Sequence, residues 1–278
     1  MDLVPADHFS FQQLTDAYNQ TRVDYLVPMP MNVARLREYA RVYDIHMGCS
    51  CVAVEEDIML GLGMLGVRRN RAWITRLGVL PSGRRKGVGE NIMNALMNQA
   101  EDKNLGYIWL EVIKGNKPAH KLFHKCGFHE TRELIVARRP PTQTQDNSLL
   151  KRIKRVTTLN HEEAIILLSH RQNRPNWLNE TESLQNVHNL SALLIEQHNG
   201  GRGWVTYHAG ILQLTRIIVE VTAGDPTEVT ETVLHILHRR HKRQDAIAEN
   251  LCDDAQWLGF QKMGYFDSFR RIEMVKEL

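Results

Sequence analysis

The stretch PSGRRKGVGENI, residues 81–92, crowds Arg84, Arg85 and Lys86 together with Gly83, Gly87 and Gly89 just ahead of an amphipathic helical pattern. That combination suits an anion. A helix N-terminus leaves amide N–H groups unpaired, and its partial positive charge is worth about 0.3–1 kcal/mol to an exposed phosphate. Glycine at 87 and 89 lets the phosphate approach the backbone with no Cβ in the way. The three cations add charge-assisted contacts. The spacing is neither the GxGxxG dinucleotide fingerprint nor the GK[ST] ending of a nucleotide-triphosphate loop.

The elements that must position this loop are legible on both sides. Upstream, CSCVAVEE, IMLGLGMLGVRR and AWITRLGVL are short apolar or β-branched runs separated by polar turns, an antiparallel meander. Downstream, GVGENIMNALMNQAEDK places Ile92, Leu96 and Ala100 on one helical face, and YIWLEVI, KPAHKLFHKC and FHETRELIVARR follow as strand, helix and strand. Two further helices, in SFQQLTDAYNQ and NVARLREYARVY, precede the meander and flank the proline-bearing loop VDYLVPMPMN.

The chain has 278 residues, 42% hydrophobic and 24% charged, with a net charge of +3, a length that accommodates two domains. So small a charge excess implies no nucleic-acid partner by itself. HRRHKR at 238–243 falls at a predicted helix end, where cations complement the dipole, and is expected to be solvated; KRIKR at 151–155 is expected to be a linker or a strand start. Cys49, Cys51, Cys126 and Cys252 show no zinc spacing, nor do His8, His46 and His188, so no metal is expected. No membrane-inserting or export segment is read, which makes a reduced, cytoplasmic chain the expectation. The polar RRPPTQTQDNS marks the boundary, giving domains at 1–140 and 153–278 with a linker at 141–152.

LGVLPSGRRKGVG resembles the acetyl-CoA signature of the GNAT superfamily of N-acetyltransferases, with Arg84, Gly87 and Gly89 on its [QR]xxGx[GA] pattern. LEVIKGNKPAHKLFHKCGF resembles that family's second signature through Asn116, Ala119, Leu122, Phe123, Gly127 and Phe128. The resemblance covers residues 1 to about 140 and implies an α/β (α+β) fold whose mostly antiparallel mixed sheet is flanked by helices. It implies acetyl-CoA as donor, its pantetheine on the backbone near Leu77, Gly78 and Val79 and its pyrophosphate on the amides of residues 84–89, Arg84, Arg85, Lys86, Gly87, Val88 and Gly89, with Asn116 and Phe123 completing the cofactor site. It implies an amine acceptor, of a small molecule or a peptide, bordered by the early loop at Tyr25. Acetyl transfer needs a neutral amine, a polarised thioester carbonyl and a proton for the departing thiolate. Glu111, in an LEV strand similar to those of the ribosomal-protein alanine acetyltransferases, is the candidate base. Many family members carry tyrosine at the position of Phe123 to protonate the sulfur; phenylalanine has no proton to give. Tyr25, Tyr107 or water substitutes, or catalysis is slow, or the protein is a non-catalytic acetyl-CoA sensor.

Sliding the chain on itself places GRRKGVGENIMNALM over GDPTEVTETVLHILH and FHKCGF over FQKMGY, the mark of a second copy of the same unit. In that copy Asp225 stands at an N-cap, Pro226 at the first helical position and Glu228 where a capping box has its acid. The second copy is therefore expected to be degenerate and to bind no CoA, serving instead to pack, to shape the acceptor cleft or to offer a homodimer surface.

Overall fold

The structure, a computed structural model, describes residues 1–142 and 147–278; part of the segment expected to link the domains, residues 143–146, lies outside the described residues. The chain divides into two compact units, Met1–Arg132 with Ile272–Leu278, and Glu133–Arg271. Residues 133–140 thus group with the second unit and 272–278 with the first, whereas the sequence expectation put the cut near 140.

In the first unit, β1 (Asp2–Pro5), β2 (Cys51–Glu55), β3 (Ile58–Arg68) and β4 (Arg71–Val79) pair antiparallel in that order. β5 (Tyr107–Ile113) then pairs parallel to β4 from Arg71/Tyr107 to Ile74/Leu110. The C-terminal part of β12 (Phe266–Glu277) follows β5, and the first residues of β6 (His129–Arg139) follow that. Helices α1 (Phe11–Gln20) and α2 (Val33–Val42) precede the meander, α3 (Val88–Asp102) joins β4 to β5, and α4 (Lys117–Lys125) joins β5 to β6. Each start has a local cause. Ser10 and Gln13 close a reciprocal capping box on α1, and the Asn32 side chain caps α2. The apolar face of α3, Ile92, Met93, Leu96 and Ala100, is wholly buried in the core, together with Ile272 and Met274 from the far end of the chain.

The second unit repeats this order. β7 (Ile153–Leu159), β8 (Leu190–Gln197), β9 (Arg202–Ala209) and β10 (Gln213–Ala223) pair antiparallel, β11 (Asp245–Leu251) pairs parallel to β10, and the later part of β6 pairs antiparallel to β11. Helices α5 (His161–Ser169) and α6 (Thr181–Gln185) precede its meander, and α7 (Pro226–Arg240) and α8 (Ala255–Lys262) stand where α3 and α4 stand in the first. Small irregularities repeat as well. Arg76 in β4 and Arg216 in β10 both have positive φ, 54° and 56°, beside shifts in strand register. The glycines that end α4 and α8, Gly127 and Gly264, both adopt the left-handed conformation, and Phe123 and Phe260 are both buried.

One expectation fails inside this unit. Only part of HRRHKR is a solvated helix end: His238 is fully buried, its Nε2 lies 3.1 Å from the Tyr265 hydroxyl, and burial pushes its pKa down to about 3. The helical spacing that repeats Val233, Leu234 and Leu237 into the core carries His238 with them.

Candidate active site

A groove of about 630 Å³ opens in the first unit between the C-terminal end of β4, the start of α3, the turn before α4 and the loop from α1 to α2. It begins where the recorded β4/β5 ladder stops at Ile74 and Leu110, leaving the last residues of β4 to face it. Leu77, Gly78, Val79, Arg84, Arg85, Gly87, Val88, Gly89, Asn116 and Tyr25 all line it, so most of the residues singled out in the sequence come together on one surface.

Gly87 is the N-cap of α3, with φ of 79° and no side-chain cap bond, and an added Cβ there would meet nothing within 4 Å. No side-chain cap therefore stands at the start of α3. Gly78 is required for another reason: a Cβ would fall 2.3 Å from Thr21 Oγ1, so glycine is what lets the α1–α2 loop close onto β4. Asn116 caps α4 through its side chain, and its Nδ2 donates to the Tyr25 hydroxyl at 3.4 Å, which holds that ring at the groove.

Three sequence-derived positions differ from what was expected of them. Phe123 is buried in the hydrophobic core against Phe128, ring centroids 6.4 Å apart, and is not among the groove's lining residues. Lys86 is exposed outside the lining set. Arg84 lines the groove, but its guanidinium is engaged with Asp24 of the α1–α2 loop, one contact being 2.7 Å, and donates to the Val79 carbonyl at 3.3 Å. The Arg84 hydrogen bond lowers the Asp24 pKa and raises that of Arg84. The carbonyl of Leu77 likewise accepts from Arg22 at 2.9 Å.

Glu111 is half-buried on β5, and its Oε2 accepts from Trp73 Nε1 at 2.8 Å. Trp73 in turn packs among Tyr39 and Tyr43, with centroids 6.1 and 5.8 Å away. Tyr107 is exposed at the opposite end of β5. The sequence reading passed over Thr21, Arg22 and Asp24, which line the groove; the only signal for them was their place in the polar loop after α1. It also passed over His120, His124 and Glu130, whose ligand atoms lie within 4.8 Å of one another and which the HKLFH spacing on α4 could have flagged.

In the second unit the corresponding helix start is closed. Asp225 caps α7, its Oδ1 accepting from the Glu228 amide at 2.9 Å, with Pro226 following. The reciprocal bond from the Asp225 amide to the Glu228 carboxylate, expected of a full capping box, is not formed among the described residues. Thr230, at the position of Gly89, is fully buried against α8, where a Cβ on Gly259 would lie 2.7 Å from its own Cβ. A smaller depression of about 390 Å³ beside it is lined by Gly224, Pro226 and Asp254 among others.

The fold is that of solved tandem GNAT proteins. Residues 14–128 match the acetyltransferase (GNAT) family model, and the chain carries a GNAT-family acetyltransferase domain. A curated relative, the [Ribosomal protein bS18]-alanine N-acetyltransferase of Haemophilus ducreyi, is 28% identical over 76 residues, 27% of this chain and 52% of that protein, so the match spans about half the relative's length. Among solved structures, a tandem GNAT protein from the clavulanic acid biosynthesis pathway aligns over 99% of this chain and 98% of its own with TM-score 0.66 at 13% identity. A GCN5-related N-acetyltransferase from Sphaerobacter thermophilus aligns over 99% and 93% with TM-score 0.69 at 15% identity. Both show the fold. No helix among the described residues is long and apolar enough to cross a membrane.

Proposed function

We propose that the first unit transfers an acetyl group from acetyl-CoA to a primary amine of a small molecule or peptide, and that the second unit binds no CoA. The observation that carries this reading is the uncapped start of α3, with Gly87, Arg85 and Arg84 around it, opening on a groove that runs to the free end of β4. The CoA pyrophosphate is assigned to the amides of residues 84–89, Arg85 supplying charge and Arg84 holding the Asp24 loop against the cofactor; exposed Lys86 contributes long-range charge. Pantetheine is assigned to the backbone of Leu77, Gly78 and Val79, where it shares the carbonyls that Arg22 and Arg84 engage. Asn116 lines the groove by the turn before α4. Phe123 supports α4 from the core rather than touching the cofactor.

Glu111 takes the amine proton, directly or through a water, because an alkylammonium near pKa 10 is mostly protonated at neutral pH. Its Oε2 accepts from Trp73 Nε1, which holds the carboxylate in place on β5. The amine attacks the thioester carbonyl, polarised by a strand amide near Val79, and the thiolate leaves. Tyr25 is the preferred donor for that thiolate, since its hydroxyl is in the groove whereas Tyr107 is at the far end of its strand. The match of residues 14–128 to the GNAT family model, and the similarity of 76 residues to an N-acetyltransferase of a ribosomal protein, support an amine acceptor.

The absence of a hydroxyl at Phe123 favours one rival, a non-catalytic acetyl-CoA sensor. Thiol release from acetyl-CoA across an amine library separates the two. Amine-dependent release supports transfer; CoA binding by calorimetry with no amine-dependent release supports the sensor.

A further inference from the structure

A guanidinium is charged at every accessible pH, and one taken partly out of water normally has a carboxylate beside it. In the first unit Arg68 has Asp44 at 2.7 Å, Arg84 has Asp24 at 2.7 Å and Arg132 has Glu273 at 2.8 Å. Arg22 and Arg76 have neither an acid within ion-pair distance among the described residues nor full exposure. Both are held by neutral groups. Arg76 donates to the Tyr18 hydroxyl at 2.9 Å and lies 4.1 Å from the Tyr39 ring centroid and 5.4 Å from that of Tyr18. Arg22 donates to the Leu77 carbonyl at 2.9 Å and lies 4.2 Å from the Tyr25 ring and 5.1 Å from that of Tyr18. The Nε of each is buried with no hydrogen-bond partner.

We propose that Arg22 and Arg76 form an anion subsite in the acceptor cleft and that the acceptor amine carries a carboxylate a few bonds from its nitrogen. The proposal rests on the acetyl-transfer reading. Two guanidinium groups sharing one tyrosine, each with donor N–H groups to spare, match the planar, two-oxygen geometry of a carboxylate. Their place fits the reaction. Arg22 lines the groove; Arg76 is not among the lining residues but occupies the irregular, positive-φ position directly before Leu77, which is, a distortion of the kind that re-aims a strand side chain. The aromatic chain Tyr39–Trp73 links Arg76 to Glu111. A zwitterionic acceptor therefore finds a base for its ammonium and cations for its carboxylate on contiguous side chains, and a plain alkylamine leaves the guanidinium groups unpaired. Stacking on tyrosine also braces α1 and α2 against β4, so the test must read acceptor choice and not stability alone.

The test compares matched acceptors by thiol release: phenylalanine against phenethylamine, and an Ala-Glu peptide amide against its Ala-Gln counterpart. The carboxylate member of at least one pair is expected to show kcat/KM higher on the order of tenfold, mainly through KM. Arg76→Met should bring that ratio toward one, and Arg76→Lys should restore part of it; melting curves and CoA calorimetry verify that the variants are folded. Equal kcat/KM within both pairs, or a preference that survives Arg76→Met, overturns the subsite while leaving acetyl transfer standing. If no acceptor reacts, titrating the CoA-bound protein with the same compounds by tryptophan fluorescence decides the matter. Carboxylate-selective binding lost in Arg76→Met keeps the subsite and fails the transfer reading, and no selective binding overturns both.

Discussion

The start of α3 and the start of α7 occupy equivalent places in two copies of one fold, yet one is left open and the other is capped. At α3 the N-cap is Gly87, with no side chain and nothing where a Cβ would stand. At α7 Asp225 accepts the Glu228 amide, so the charge and hydrogen bonds that a phosphate would otherwise use are met within the chain. The difference shows how a helix terminus trades function against stability. An N-cap acid is worth about 0.5–2 kcal/mol to the fold, and an uncapped start forgoes that in exchange for an anion site.

The largest effect should come from the chemistry that the open copy supports. Glu111→Gln is expected to lower kcat by about 10²–10⁴-fold with acetyl-CoA affinity nearly intact, and the loss should shrink as pH nears the amine's own pKa. Rates equal to wild type at neutral pH would assign Glu111 to a structural role that includes its bond with Trp73. Next, Gly87→Glu gives the open copy the acid of the closed one. A carboxylate about 4 Å from the pyrophosphate costs about 1 kcal/mol even with water-like screening, so CoA affinity should fall roughly fivefold or more, while the side chain at positive φ lowers the stability of the free and bound protein alike by about 1–2 kcal/mol. Arg84→Ala should cost less, because Arg84 already spends its guanidinium on Asp24. Calorimetry ranks the two, and the reverse order would move the phosphate contact from backbone to side chain.

Several features behind these predictions could be read in the residues, and several could not. The repeated F-x-K-x-G-[FY] ending announced the second copy, and both of its glycines prove left-handed, a local demand on one residue. The glycines and cations crowded at the start of α3 are likewise a local feature of the sequence. The Arg84–Asp24 pair was not: those residues are 60 apart in sequence, and nothing local distinguishes a cation that binds phosphate from one that anchors a loop. Nor was the use of Ile272 and Met274 in the first unit's core, since strand pairing over such a separation leaves no periodic trace. Phe123 fitted the family pattern by sequence, but the pattern does not tell a core ring from one at the groove, and Phe123 is buried against Phe128.

Smaller effects probe the closed copy. Asp225→Ala should lower stability by about 0.5–2 kcal/mol, read as a drop in Tm, without changing the first unit's CoA affinity. A changed affinity would couple the two helix starts. At neutral pH the smallest effect belongs to His238. Its folded pKa of about 3 lies below the unfolded value, so the unfolded chain binds the extra proton between them. Its contribution is complete above about pH 6.5 and is lost on acidification toward pH 3, with a slope of up to about 1.4 kcal/mol per pH unit. His238→Gln should flatten the pH dependence of Tm in that window; an unchanged profile would place the titration elsewhere.

The central claim, one open site and one closed, is tested most directly by the number of CoA molecules each chain binds. Calorimetric titration of the full chain with CoA is expected to give one molecule per chain, with binding weakened by Gly87→Glu and untouched by Asp225→Ala. Two equivalent CoA molecules per chain, or binding that Gly87→Glu leaves unchanged and Asp225→Ala alters, would contradict it.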